Sequence, residues 1–198
     1  MELGNRVVLI TGTSHVGKTT FATRIAEAMG CTAISTDHLA RHPGRPWPSI
    51  PKPVADFYEQ LPADTIYWFL RVHHENMWPT LRRMIDDHVR VGGNLVLEGS
   101  ALRPEYVAPL LSDEITGACL YAPDAFLRAR MRTEAGYMEA SDANRRILDK
   151  FIDRSLRDND EMCSAARRHG LTLIDISEPQ ATEDLYQGLI EIVHPPAE

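Results

Sequence analysis

Apolar residues fall into five short runs separated by longer stretches of helical period. Residues 6–11, Arg-Val-Val-Leu-Ile-Thr, are β-branched, end at Gly12 and read as a buried strand. Residues 18–29 follow with Phe21, Ile25 and Ala28/Met29 at helical spacing, and Gly30 closes that helix. Further apolar runs at 31–35, 94–99, 115–121 and 171–176 supply four more strands. Between the second and third, residues 54–91 are helical in pattern, with interruptions expected near Pro62 and Pro79. Leu81, Met84/Ile85 and His88/Val89 mark one face there, and Arg82, Arg83, Asp86 and Asp87 the other. Short helices are expected at 104–111 and 124–133, joined by a weak link at 135–140 to a long one. That long helix is capped by Ser141, carries Ile147/Leu148, Phe151/Ile152, Leu156, Met162/Cys163 and Ala166, and ends at Gly170. A last helix at 182–193 leaves a frayed tail at 194–198. Apolar strands alternating with helices predict an α/β fold: a parallel sheet covered on both faces, with right-handed crossovers.

Residues 42–53 break the pattern with five prolines and one glycine, which predicts a loop stiffened by fixed φ angles. The Tyr67-Trp68-Phe69 cluster reads as core. The adjacent His73-His74 pair faces two directions on a helix and lacks partners at ligand spacing, so a metal site is set aside.

With 198 residues, 43% of them apolar, the chain suits one domain or a domain with an inserted lid. Its net charge of −7, without a basic block, argues against a nucleic acid partner. Cys31, Cys119 and Cys163 are odd in number and widely spaced, which suggests reduced thiols. No targeting pattern is seen in residues 1–5 and no apolar run has membrane-spanning length, so a soluble cytoplasmic protein is expected.

The chemistry is concentrated in Gly12-Thr13-Ser14-His15-Val16-Gly17-Lys18-Thr19, which fits G-x-x-x-x-G-K-[ST] and is followed by Thr20. Gly12 and Gly17 permit the tight turn that points backbone N–H groups at phosphate oxygens. Lys18 reaches the β- and γ-phosphates, and the Thr19 hydroxyl is placed to join a Mg²⁺ shell. The helix that begins here turns its positive end to the anion. The motif lies between a strand and an amphipathic helix, as its mechanism requires.

Together with Ser35-Thr36-Asp37 and the arginine-rich helix, this segment resembles the adenylate-kinase-like group of small P-loop kinases, of the shikimate, gluconate, 2-phosphoglycerate and chloramphenicol phosphotransferase type. The resemblance implies a three-layer P-loop NTPase fold with five parallel strands in the order 2-3-1-4-5. It also implies an acceptor-binding region over residues 42–91 and a mobile lid over 128–146 of a single domain 1–198. ATP and Mg²⁺ are the implied cofactors.

Asp37 follows the second strand, at the sheet edge where ligands of open α/β folds bind. The resemblance gives such an aspartate the acceptor hydroxyl and its proton; capping the next turn is the alternative. Glu98 ends the third strand where P-loop proteins usually carry a magnesium-shell aspartate, so it is a candidate for the metal or for the acceptor. Arg103 is a candidate for the acceptor. Arg41, Arg45 and Trp47, in or beside the stiff loop, are candidates to grip an anionic or ring-bearing acceptor, a rigid surface crossing being the alternative. Arg128 and Arg132, four apart, share a helix face, and the resemblance gives lid arginines the phosphates; both are preferred to Arg130, Arg145 and Arg146. The expected activity is transfer of the γ-phosphate of ATP to a hydroxyl of a small molecule. A nucleoside or nucleotide kinase and a regulatory ATPase without an acceptor are the alternatives. Neither N-K-x-D nor D-x-x-G nor L-S-G-G-Q occurs.

Overall fold

The computed structural model describes residues 6–193. The terminal stretch 1–5 and the tail expected at 194–198 lie outside the described residues. Five strands, β1 (Val7–Gly12), β2 (Ala33–Ser35), β3 (Leu95–Glu98), β4 (Ile115–Tyr121) and β5 (Thr172–Asp175), form one sheet in the order β2-β3-β1-β4-β5. Every pairing is parallel. The order predicted from the resemblance is the order observed.

Two cores explain why these strands are apolar at nearly every position. Val8, Ile10, Val96, Ala118 and Leu120 face α1 (Lys18–Ala28), α2 (Lys52–Gln60), α5 (Asp124–Glu134) and the first half of α6 (Asp142–His169), where Phe21, Ile25, Tyr58, Leu127, Phe151 and Leu156 are buried. The alternate residues Val7, Leu9, Leu95, Leu97, Ile115 and Cys119 face α3 (Ala63–Val91), α4 (Pro104–Val107) and the second half of α6. Period-two side chains therefore fill both layers. A closing helix, α7 (Pro179–Val193), adds Leu189 to the first core.

Two helical expectations change. Pro62 separates α2 from α3 as predicted, but Pro79 lies inside α3, which runs unbroken for 29 residues. A proline within a helix costs roughly 3 kcal/mol. The burial of Met77, Leu81 and Ile85 on either side supplies a comparable stabilisation. The aromatic cluster also divides: Tyr67 is buried, whereas Trp68 is 63% and Phe69 42% exposed. Successive helical residues point about 100° apart, so only Tyr67 shares the buried face with Ile66, His74 and Met77.

Register sets the level of the functional edge. Glu98 pairs with Ile10 on one side and with Ser35 on the other. The carboxyl ends of β1, β2 and β3 thus finish side by side, where the strand order reverses direction from β1. That crevice is where ligands of open parallel sheets bind.

Candidate active site

Gly12 begins the phosphate loop with φ 140°, and a Cβ there would lie 2.3 Å from the Leu120 carbonyl oxygen. Only glycine lets β1 bend this close to β4. The Thr13 hydroxyl donates to the Ser155 carbonyl of α6 at 2.8 Å, which ties the loop to the long helix. His15 adopts φ 68°, and α1 begins at Lys18. Lys18 Nζ reaches back across the hollow to the Thr13 carbonyl at 2.7 Å. Burial lowers the basicity of its ammonium, opposed by the charges of Glu98, Asp37 and Asp158.

The Thr19 hydroxyl donates to Glu98 Oε1 at 3.0 Å. Glu98 is 2% exposed, so this carboxylate is held at the bottom of the cleft rather than waving in solvent. Gly99 follows with φ 154°, and a Cβ on it would approach the Thr36 hydroxyl to 1.7 Å. That close approach brings the end of β3 against the turn after β2, and so Glu98 toward Asp37. Asp37 lies inside the one-turn 3₁₀ helix Thr36–His38, exposed to the cleft; the N-cap position belongs to Ser35, which makes no side-chain cap bond. Asp37 has no hydrogen-bond or ion-pair partner among the described residues, so the capping role is not the one it plays here.

These groups line one cleft that opens to solvent. Thr13, Ser14, His15, Lys18 and Thr19 form its phosphate end. Its other end is built from four separate elements: His42, Gly44 and Arg45 of the proline-rich loop, His73 and His74 of α3, Ser100 after β3, and Arg154 and Asp158 of α6. His74 is 1% exposed, accepts or donates through Nε2 to the Ser100 hydroxyl at 3.2 Å, and is held neutral by burial and the nearby Arg103 charge. Burial and the neighbouring His42 lower His73 as well. Arg154 meets the Tyr58 hydroxyl at 3.1 Å and lies over the Phe151 ring at 4.5 Å; no carboxylate pairs with it among the described residues.

A second, open groove lies behind the phosphate loop, lined by Val16, Gly17, Thr20, Arg24, Arg130 and Thr182 among others. The loop therefore has one face toward each hollow. This suits a nucleotide whose phosphates lie on the loop and whose nucleoside lies behind it.

Several expected residues are placed elsewhere. Arg103 is 1% exposed and does not line the cleft; its guanidinium is enclosed by Asp158 at 2.8 Å and Glu105 at 2.8 Å, which raise its basicity against the cost of burial. It is the counter-ion that fixes Asp158 rather than a group free to meet an acceptor. Arg41 is exposed and also absent from the cleft wall. Arg128 and Arg132 share a face as predicted, but that face meets α6, where they pair with Asp153 at 3.1 Å and Asp149 at 3.3 Å. Arg130, the less favoured arginine, is the one on the loop side. The sequence spacing was sound; which face met the loop depended on the packing of α5 against α6.

Arg154, Asp158, His73, His74 and Ser100 join the cleft wall with no motif in the sequence to mark them. Their one sequence signal is the i, i+4 spacing of Arg154 and Asp158 on the face of α6 that also carries Phe151. Among the described residues no cluster of three or more His, Cys, Asp or Glu suited to a metal ion occurs, at His73-His74 or elsewhere. Among the same residues no helix is long and apolar enough to cross a membrane.

No protein-family model matches the chain. Over 187 residues it is 27% identical to a 2-phosphoglycerate kinase of Thermococcus kodakarensis, an alignment that covers 88% of this chain and 62% of that protein. The chain thus spans less than two thirds of that relative's length. Its fold matches the crystal structure of a gluconokinase from Sinorhizobium meliloti 1021 with a TM-score of 0.54 and 18% identity, over 98% of this chain and 93% of that one. Weak sequence similarity and a shared five-stranded parallel architecture together mark this chain as similar to the small P-loop kinases of the 2-phosphoglycerate kinase and gluconokinase type.

Proposed function

We propose that the chain transfers the γ-phosphoryl group of ATP to a hydroxyl of a small molecule that carries an anionic group. The observation that carries this reading is the meeting of Lys18, the Thr19–Glu98 pair and Asp37 in one cleft.

Phosphoryl transfer needs positioning and charge neutralisation more than covalent help. The loop amides and the α1 N-terminus hold the phosphates, and Lys18 exchanges the Thr13 carbonyl for β- and γ-oxygens. Thr19 and the buried Glu98 fit a magnesium shell: a hydroxyl and a carboxylate 3.0 Å apart, with phosphates and water expected to complete the sphere. Bound there, Mg²⁺ would neutralise charge on the phosphate oxygens. Asp37 orients the acceptor hydroxyl. As the new bond forms between that oxygen and the γ-phosphorus, the bond to ADP breaks, and the hydroxyl proton passes to the Asp37 carboxylate.

The anionic character of the acceptor is supported by Arg154, a half-buried guanidinium in the cleft wall without a carboxylate partner among the described residues. A charge so placed is completed by an anionic ligand. The names of the two similar kinases agree with that chemistry. A nucleoside acceptor has less support, because the one phenyl ring in the wall, Phe151, is already covered by Arg154.

Asp37→Asn tests the assignment. We expect ATP binding by calorimetry to stay within about twofold, while acceptor phosphorylation falls at least about 10²-fold. Equal turnover in the two proteins would remove Asp37 from the reaction.

A further inference from the structure

Arg45 belongs to neither the phosphate loop nor the arginine-rich helix, yet it overhangs both. Its guanidinium is 2.6 Å from Glu134 Oε1, at the end of α5. The other Glu134 oxygen lies 3.3 Å from Nε2 of His15 in the phosphate loop, without hydrogen-bond alignment. One carboxylate thus stands between the proline-rich loop and the loop that cradles phosphate. Arg45 itself lines the cleft beside Ser14, His15 and Lys18.

The segment that carries Arg45 is well anchored. Pro46 is buried, and the Trp47 ring packs 5.3 Å from His15 and 5.0 Å from Phe151, so the backbone flanking Arg45 is held over the loop. Electrostatics give the same placement. The Arg45 charge is among the causes that lower the basicity of both His15 and Lys18. Of the other arginines considered, Arg128 and Arg132 pair with α6, Arg103 pairs with Asp158, Arg130 lies on the far side of the loop, and Arg154 stands at the acceptor end of the cleft beside Asp158 and Phe151.

We propose that Arg45 is the catalytic arginine of the phosphoryl transfer, held by Glu134 over the phosphate loop and passed to the γ-phosphate oxygens when the nucleotide binds. The inference rests on the phosphotransferase reading above. Glu134 is half-exposed and its pair with Arg45 is solvent-screened, so the contact is easily exchanged. A triphosphate entering the loop repels the Glu134 carboxylate and offers Arg45 a more highly charged, bidentate partner. The positive charge then lies where negative charge is redistributed in the transition state. Glu134 is a positioning residue in this scheme: it keeps Arg45 aimed at the loop and withdraws on binding.

Calorimetry with two probes, Mg·AMP-PNP and Mg·ADP, tests this directly on the full chain. Arg45→Ala is expected to weaken AMP-PNP at least about tenfold while ADP stays within about twofold. Glu134→Gln is expected to tighten AMP-PNP by a few-fold, because it frees Arg45 and removes a repelling charge. A merely structural ion pair would make both variants change AMP-PNP affinity in the same direction and by similar factors; that result would overturn the proposal and leave the kinase reading intact. If the wild-type protein binds neither probe, the kinase reading falls and this inference with it.

Discussion

The two ends of the cleft are built in opposite ways. The phosphate end comes from one continuous octapeptide, whose glycines, lysine and threonine each answer a local requirement: a positive φ, a close approach to Leu120, a cation and a hydroxyl at the start of a helix. The acceptor end comes from residues as far apart as His42 and Asp158, brought to one cleft by the packing of the proline-rich loop, α3 and α6. A contiguous site is constrained by backbone geometry, so its chemistry is written in spacing. A dispersed site is constrained by packing, and each of its residues taken singly looks like an ordinary helix or loop position.

The same contrast runs through the rest of the chain. The five strands were legible because apolar runs of buried parallel strands are local signals, whereas their order came only from the family resemblance. Glu98 and Asp37 were legible as strand-end carboxylates. Arg103 looked like a substrate ligand because nothing near it in sequence announces Asp158, 55 residues away, as its buried partner. Arg128 and Arg132 were paired correctly on one face of α5, but the direction of that face depended on carboxylates of α6. Pro79 shows the same limit from the other side, since tertiary burial overrode a strong local breaker.

Three experiments sharpen the comparison. Lys18→Ala should have the largest effect, lowering phosphoryl transfer at least about 10³-fold in a coupled assay, since it removes the one cation inside the loop. Residual turnover within tenfold of the wild type would mean that the phosphate end is not where the octapeptide places it. Arg154→Ala should act on the acceptor alone. For any hydroxy acid that a coupled-ATPase screen identifies as substrate, KM is expected to rise about 10–100-fold with kcat changed only a few-fold. An unchanged KM would detach the anionic group from α6.

The smallest effect concerns His15 in the phosphate loop. Burial, aided by the charges of Arg45, Lys18 and Arg130 and opposed by Glu134, lowers the pKa of His15 to about 4. A histidine depressed in the folded state takes up its proton in the unfolded chain first, so stability is intact above about pH 6.5 and is lost as the pH falls toward 4. We expect His15 to account for on the order of 1–2 kcal/mol of the stability lost between pH 7 and pH 4.5. His15→Asn, which tolerates the positive φ, should reduce that loss in denaturant titrations. An identical pH profile for the two proteins would show that His15 is not desolvated beneath Trp47.

The central claim is that a polyphosphate occupies the hollow now crossed by the Lys18 ammonium. A crystal structure with Mg·AMP-PNP tests it most directly. The account predicts β- and γ-phosphates wrapped by the amides of residues 13–19, with Lys18 Nζ moved from the Thr13 carbonyl onto their oxygens. Nucleotide bound elsewhere, with Lys18 still donating to Thr13, would contradict it.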